Sequence, residues 1–283
     1  MQIRKLERPD LAKVRPLLEA AINDKSQASY PKFSSLSDLY RELEYSIEFM
    51  ATTTLLSLQN EEIDGLVTYF WDDDEKYIQT TLLIIKNKDL EVLEGLLERI
   101  KKDHKAYSIN IGLGEASWIN QEKYFTEKAK IVEHSHVLEA KNLEKSSALT
   151  DNIEILSKED FASYKDFHDS FAKDMYYSSP NLYRDFDRFR VFVKKDKGEI
   201  TASLLVKIYG KNPYKGEIFG LFMKDPNKKT CENLIKTMIN SLIEEFGQIG
   251  DIKYFIEVEK ELELEVAVAN GFEKLDTYIL YRA

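Results

Sequence analysis

The chain has 283 residues, of which 43% are hydrophobic, 12% aromatic and 32% charged, and its formal net charge is −10 at pH 7. At ~150 residues per domain, this length predicts two domains, each with enough apolar side chains for a core. The composition excludes disordered, collagen-like and membrane-spanning classes. A strongly negative chain repels phosphates, so we expect no nucleic-acid partner.

The amino terminus and the cysteine content bear on location. The opening stretch, MQIRKLERPDLAK, is charged and lacks the apolar region of a secretory signal. The single cysteine, Cys231, cannot form an internal disulfide. We therefore expect a cytoplasmic protein that does not bind membranes.

The first half of the chain alternates between strand and helix patterns. Short β-rich stretches predict strands, and apolar residues spaced three and four apart predict helices. In chain order the pattern predicts a strand at 2–6, helices at 11–22 and 39–50, strands at 52–58, 63–71 and 77–85, a helix at 90–100, a strand at 107–111, a helix at 118–128 and a strand at 131–138.

The second half repeats this order after a polar, unpatterned segment, AKNLEKSSALTD. The pattern predicts a strand at 153–156, a helix at 158–173, a tyrosine-rich loop with a short helix, strands at 190–194, 200–209 and 217–223, a helix at 231–246, a strand at 253–258, a short helix ending at 269 and a strand at 275–281. We therefore expect an N-terminal domain at 1–141, a linker at 142–151 and a C-terminal domain at 152–283.

Several strings resemble the GNAT superfamily of N-acetyltransferases. In the second half, VFVKKDKGEITASLLVKIYG and GEIFGLFMKDP are similar to the second, third and fourth strands of that family, and ANGFEKLDTYILYR resembles its closing segment. In the first half, LLSLQNEEIDGLVTYFW and KYFTEKAKIVEHSHVLE resemble the same regions. The resemblance implies an α/β (α+β) class: two tandem GNAT-like acyl-CoA N-acyltransferase folds, each a mixed, mostly antiparallel sheet flanked by helices. It also implies acetyl-CoA as cosubstrate.

The loop that binds pyrophosphate in this family normally contains glycines, which let backbone N–H groups approach the phosphates. Here the corresponding loop, 224–232, has no glycine. The resemblance implies that Lys228, Lys229 and Thr230 hold the pyrophosphate instead. The alternative is a solvated, lysine-rich helix start. In the first half the loop at 86–89 is shorter and ends in a carboxylate.

The end of the fourth strand receives the pantetheine arm in this family, as an added ligand strand. The resemblance therefore implies that Leu221, Phe222 and Met223 contact the coenzyme through main-chain atoms. The alternative is that all three are only hydrophobic core.

The resemblance also points to Glu217, at the start of GEIFGLF, as the base that removes a proton from the amine. The alternative is an exposed glutamate at a strand start. The usual general-acid tyrosine and its asparagine would fall at Ala267 and Lys260, so neither is present, and Tyr254, Tyr278 and Tyr281 stay open as substitutes. Because stretch 76–80 of the first half has no acid, the C-terminal domain is expected to be active and the N-terminal one structural.

Tyr176, Tyr177 and Tyr183 lie where the resembled family builds its acceptor pocket, and aromatic faces attract cationic amines. The alternative is that these rings close the domain core. His134 and His136 share a strand face, but no third ligand follows at a known spacing, so no metal is expected.

Two functions from different classes therefore stand. The chain either transfers acetyl from acetyl-CoA to a primary amine of a small molecule or peptide, or it is a non-catalytic binding protein that kept the fold. A different acyl donor, or an aminoacyl group, is a third alternative. The oligomeric state stays open, with a homodimer as one alternative.

Overall fold

The structure is a computed structural model that describes residues 1–27, 29–33, 35–146, 152–173, 175–211 and 213–283, without the side chains of Tyr124 and Thr126. Half of the predicted linker, 147–151, lies outside the described residues. No helix in the described ranges is long and apolar enough to span a bilayer.

Strands and helices follow one another in the predicted order. They are β1 (Gln2–Lys5), α1 (Arg15–Asn23), α2 (Leu36–Glu48), β2 (Thr52–Gln59), β3 (Glu62–Asp72), β4 (Tyr77–Ile85), α3 (Leu90–Asp103), β5 (Ser108–Gly114), α4 (Lys123–Lys128), β6 (Lys130–Lys141), β7 (Ile153–Ile155), α5 (Phe161–Ala172), α6 (Ser179–Arg184), β8 (Phe189–Asp196), β9 (Glu199–Tyr209), β10 (Tyr214–Met223), α7 (Lys228–Phe246), β11 (Ile249–Glu257), α8 (Glu261–Ala269) and β12 (Glu273–Arg282).

Several helices differ from the predicted bounds by a few residues, and for two of them the local reason is clear. The helix predicted at 118–128 is a 3-10 turn, Trp118–Gln121, followed by the short α4. Helix α7 begins three residues before the predicted start because Asn227 caps it: its side-chain oxygen accepts the Thr230 N–H at 2.9 Å.

The chain forms two compact units. Unit 1 comprises Met1–His134 with Thr277–Ala283, and unit 2 comprises Ser135–Asp276. They differ from the predicted domains in their closing strands: β12 pairs with β5, and β6 pairs with β11. Both closing strands alternate apolar and polar residues in the same way, so the sequence pattern does not specify which sheet each one joins.

The sheet of unit 1 has the order β1-β2-β3-β4-β5-β12, and only the β4–β5 pair is parallel. Successive strand residues point to opposite faces. Thus Leu55 packs under α3, while Leu56 packs under α1 and α2.

The sheet of unit 2 has the order β6-β11-β10-β9-β8-β7, and only the β10–β11 pair is parallel. Leu204 faces the core under α7 and α8, and Leu205 faces the aromatic core under α5 and α6. The two faces of β10 therefore pack against different cores, one under α7 and α8 and the other under α5 and α6.

Candidate functional site

The parallel strands of unit 2 separate partway along their length. Their pairing ends at Ile218 on β10 and Tyr254 on β11. There the register of β10 on β9 shifts, so that Phe219 is a bulge residue. Within the described part of unit 2, no other segment pairs with this edge of residues 219–223. The gap is therefore a place where an extended ligand can add to the sheet.

Leu221, Phe222 and Met223 lie on the part of β10 beyond its pairing with β11, and their contact with a coenzyme stays a prediction. Leu221 and Met223 are buried under α7, and the Phe222 ring stacks on Phe171 on the opposite face, with centroids 5.4 Å apart. Gly220 leaves room for that ring, because an added Cβ would lie 2.4 Å from it. The three side chains are core, so a ligand in the gap would meet them through the main chain.

The start of α7 follows directly on β10, and its polar groups are already engaged. The Thr230 N–H is donated to Asn227, and the Thr230 hydroxyl accepts a hydrogen bond from the Lys194 ammonium at 2.9 Å. Thr230 is 4% exposed. Lys228 pairs with Glu265 at 2.5 Å, and Lys229 is exposed. The predicted phosphate contacts thus have partners within the chain at two of three positions.

Lys194 was not predicted from the sequence as a residue of the site, although its position in the strand pattern could have indicated it. It lies two residues after the buried Phe192 and therefore on the same sheet face, where its stem extends the apolar surface toward α7. A cavity of about 440 Å³ opens beside it. It is lined by Asn152, Lys194, Lys195, Asp196, Thr201, Ala202, Asp225, Asn227 and Thr230.

Glu217 lies just before the strands separate. In the sheet register it stands opposite Lys207 on β9 and Lys253 on β11. Because Ile218 faces α7, Glu217 points to the side of α5 and α6. Burial, followed by the charge of Asp185, raises the pKa of Tyr177 to about 12, and the charge of Glu217 adds a smaller contribution.

The three tyrosines predicted for an acceptor pocket do not lie together. Tyr177 is buried, and the more exposed Tyr176 packs edge-on against it with ring centroids 4.9 Å apart. Tyr183 packs instead against Phe161, with ring centroids 5.2 Å apart, and the Lys158 ammonium lies over its ring.

A lysine already lies over the Tyr177 ring. The Lys207 ammonium is 4.8 Å from the centroid of Tyr177 and 5.8 Å from those of Phe189 and Phe219, and it donates a hydrogen bond to the Tyr177 hydroxyl. We call these three rings and the ammonium the Lys207 pocket. Burial lowers the pKa of Lys207, and the nearby charge of Arg188 adds to the effect.

His168 supports the Lys207 pocket through a hydrogen bond to the backbone of Tyr177. Its Nε2 donates to the Tyr177 carbonyl at 2.8 Å, so in the neutral ring Nδ1 accepts from the Tyr164 hydroxyl at 3.2 Å. Tyr164 in turn contacts the Ser203 hydroxyl at 3.0 Å. Burial lowers the pKa of His168. This buried chain of polar groups fixes the backbone that carries Tyr177.

The positions of the missing general acid hold a different arrangement. Ala267 is buried core. One helical turn earlier on α8, Glu263 accepts a hydrogen bond from the buried Tyr254 hydroxyl at 2.7 Å, and Lys260 lies 3.9 Å from its other oxygen. Burial raises the pKa of Glu263, so more of this carboxyl is protonated at a given pH than of an exposed one. Tyr278 and Tyr281, also left open, lie in unit 1.

In unit 1 the corresponding gap is filled by the chain itself. The parallel pairing of β4 and β5 ends at Gln79 and Asn110, and Gln27, Ser29 and Tyr30 lie in the gap beyond. On one side the Ser29 hydroxyl accepts the Leu83 N–H at 3.1 Å, and the Gln27 amide exchanges two hydrogen bonds with the Ile85 backbone.

On the other side of the gap, the Tyr30 N–H donates to the Gly112 carbonyl at 3.0 Å, and Ser29 bridges Leu113. Asp89 caps the following helix, accepting the Glu91 N–H at 2.9 Å. The main-chain edge that would receive a ligand strand in unit 1 is therefore occupied. We call Gln27, Ser29 and Tyr30 together the closing segment.

His134 and His136 lie on β6 as expected from their spacing. Among the described residues, no three histidine, cysteine or acidic side chains come together as a metal-binding group.

We expect Ser29→Ala to lower the free energy of unfolding by about 1–3 kcal/mol, because it leaves the buried Leu83 N–H without its acceptor. Ser37→Ala, at an exposed position of α2, is the matched control. Denaturant unfolding of both variants checks this. Equal losses in the two variants would contradict the role given to the closing segment.

We expect unit 2 to lose stability as the pH falls below about 6.5, because the unfolded chain then binds a proton that buried His168 resists. Between pH 6.5 and 5.5, one such proton contributes up to about 1 kcal/mol. Denaturant unfolding at both pH values should show a smaller pH-dependent loss for His168→Gln than for the wild type, whereas exposed His134→Gln should match the wild type. A His168→Gln loss equal to that of the wild type would contradict the assignment.

Solved structures share this fold along the whole chain. A GCN5-related N-acetyltransferase from Sphaerobacter thermophilus gives a TM-score of 0.64 at 11% identity, covering 100% of this chain and 95% of that chain. A tandem GNAT protein from the clavulanic acid biosynthesis pathway gives 0.56 at 11% identity, covering 100% and 98%. A GNAT-family acetyltransferase from Colwellia psychrerythraea gives 0.51 at 11% identity, covering 100% and 99%.

No protein-family model and no curated protein sequence matches the chain. At such low identity the structural matches speak for the fold. They confirm the predicted α/β class, and the chain is a protein with the tandem GNAT fold.

Proposed function

We propose that the chain is an acetyl-CoA-dependent N-acetyltransferase and that unit 2 carries the reaction. The main support is the separation of β10 and β11 after Ile218 and Tyr254, next to the first turn of α7. An added ligand strand needs main-chain partners, and its phosphates need backbone N–H groups or cations. Unit 2 offers both at one edge, whereas the closing segment fills the gap of unit 1.

The donor set around the start of α7 fits a pyrophosphate. The first helical turn directs N–H groups outward, and Lys194 and Lys195 line the adjoining cavity. With Lys228, Lys229 and Thr230, these groups would hold the phosphates, and the main chain of 221–223 would hold the pantetheine arm. Acetyl-CoA supplies the activated acetyl group as a thioester.

The acceptor amine would be bound at the inner end of the gap. An arm anchored at the start of α7 and lying along residues 223 to 219 ends where β10 and β11 come together. Glu217 lies there, and as a carboxylate it takes the proton of the attacking amine directly or through water. Glu263 lies one helical turn before the expected general-acid position on α8, and it supplies the proton for the departing thiolate.

A non-catalytic binding protein is the second candidate. It is favoured by the internal use of the Thr230 hydroxyl and N–H and by the pairing of Lys228 with Glu265. Those contacts compete with phosphate and predict weaker coenzyme binding than a glycine-rich loop would give.

We expect calorimetric titration with acetyl-CoA to give one site per chain, because the closing segment blocks unit 1. Lys194→Ala should raise the Kd about tenfold through the loss of a charge-assisted contact. Lys236→Ala, on α7 about two turns after its first residue, should leave the Kd unchanged. No heat at millimolar ligand would favour the binding protein, and two sites per chain would contradict the blocked gap.

We expect Glu217→Gln to lower kcat by ~10²–10⁴ while the Kd for acetyl-CoA stays unchanged, because the carboxylate acts on the acceptor amine. Release of the coenzyme thiol would be followed with a panel of an alkyl diamine, an aminoglycoside and a lysine-containing peptide. Glu199→Gln, exposed at the start of β9, is the matched control. Turnover by Glu217→Gln equal to that of the control would remove the assignment.

A further inference from the structure

The Lys207 pocket is occupied by an amine of the protein itself. Tyr177, Phe189 and Phe219 place three ring centroids within 5.8 Å of the Lys207 nitrogen, and the Tyr177 hydroxyl accepts a hydrogen bond from it. Aromatic faces arranged in this way attract an ammonium group. The surface expected to receive the cationic amine of an acceptor thus already holds one.

This amine lies at the inner end of the gap. Lys207 stands opposite Glu217 in the register of β9 and β10. Its nitrogen is 5.8 Å from the ring centroid of Phe219, the first residue of β10 beyond the last pair with β11. An acyl group carried along residues 223 to 219 would therefore arrive beside the Lys207 nitrogen and the Glu217 carboxyl.

We propose that Lys207 is an internal acetyl acceptor: unit 2 transfers the acetyl group of bound acetyl-CoA to the ε-amino group of its own Lys207. The inference rests on the proposed function, because it uses the same donor and the same gap. It adds a modification site and names the first amine that an arriving acetyl group meets.

The step balances without any further reactant. The Lys207 ammonium first loses a proton to the Glu217 carboxylate. The nitrogen lone pair then attacks the thioester carbonyl, a C–N amide bond forms and the C–S bond breaks. The coenzyme leaves as a thiolate and takes up the second proton that the attacking nitrogen loses as the amide forms, directly or by way of Glu263 or water. The amide is stable, so each chain is modified once.

The electrostatics of the pocket support this step. Burial and the charge of Arg188 lower the pKa of Lys207, whereas the Asp185 and Glu217 carboxylates raise it, and the net direction is down. More of this amine is therefore neutral and nucleophilic at a given pH than of an exposed lysine. Tyr177 keeps its own proton, because its pKa is raised to about 12.

A second lysine near Glu217 provides an internal comparison. Lys253 stands opposite Glu217 on β11, whereas Lys207 stands opposite it on β9. The two lysines therefore flank the same carboxylate from the two neighbouring strands. Proximity to the base alone would favour both lysines equally. Lys207, in addition, has its ammonium over the aromatic rings at the inner end of the gap.

The test is incubation of the full-length wild-type chain with acetyl-CoA, followed by peptide mass spectrometry that localises each acetyl group over time. We expect acetylation of Lys207 about tenfold faster than that of Lys253, because the bound donor is held beside one amine. Glu217→Gln should slow it, desulfo-coenzyme A should block it, and the urea-unfolded chain should lose the preference. Lys207→Arg should lose this acetyl group, and Lys253→Arg should retain it.

Two parallel measurements separate this inference from the proposed function. Calorimetry on the same preparation reports acetyl-CoA binding, and thiol release with the amine panel reports transfer to free amines. Binding and transfer to free amines with Lys207 unmodified would overturn the internal acceptor and leave the N-acetyltransferase intact. Acetylation of Lys207 and Lys253 at equal rates, or at the same rates in the unfolded chain, would also overturn it. Absence of binding would overturn both.

Discussion

Two parallel strands that move apart leave main-chain groups that need partners, and this constraint shapes both units. A buried backbone N–H or C=O without a partner costs about 1–3 kcal/mol. In unit 1 the closing segment meets that demand: Ser29 and Gln27 bond Leu83 and Ile85 on one side, and Tyr30 bonds Gly112 on the other. In unit 2 the described chain places no strand in the equivalent position. The gap between the parallel strands is thus filled by the chain in unit 1 and is an open strand edge in the described part of unit 2.

The loop after the first helix decides between these outcomes. In unit 1 it enters the gap as the closing segment. In unit 2 the corresponding loop turns back onto α5, where the Tyr177 carbonyl accepts from His168. His168 is held by Tyr164, and Tyr164 by Ser203 on β9. This chain of hydrogen bonds holds the backbone of Tyr177, whose ring lies under the Lys207 ammonium.

The order of elements could be predicted from the sequence because hydrophobic period is a local property, and both halves show it clearly. Partner choice is not local. Alternation in 275–281 predicts a strand but does not say that Tyr278 will lie beside Gly114 of unit 1. The closing segment is a polar stretch with no period, so only its hydrogen bonds in the folded chain distinguish it from an ordinary loop.

The site itself could be predicted only in part, for a similar reason. Glu217 and the 221–223 stretch were implied by the resemblance to the GNAT family, whereas the resemblance assigned no role to Lys207 in LLVKIYG. Lys207 lies two residues after the buried Leu205, and residues two apart in a strand share a face. That face continues an aromatic core, so the spacing could have indicated that Lys207 is not on a solvated face. Thr230 shows the same limit: a hydroxyl in a first helical turn suggests a ligand contact, and its local sequence does not show that Lys194, on β8, donates a hydrogen bond to it.

The charges and aromatic rings around Lys207 bear on the amine reaction proposed for unit 2. The aromatic rings around Lys207 stabilise an ammonium by about 0.5–2 kcal/mol, while burial acts against the charged form. Those opposing effects hold an amine in place and at the same time make its proton easier to remove. Glu217, opposite it on the neighbouring strand, supplies the carboxylate that such a proton needs. The pocket therefore combines retention of an amine with its activation, and both properties depend on β10 bulging where it leaves β11.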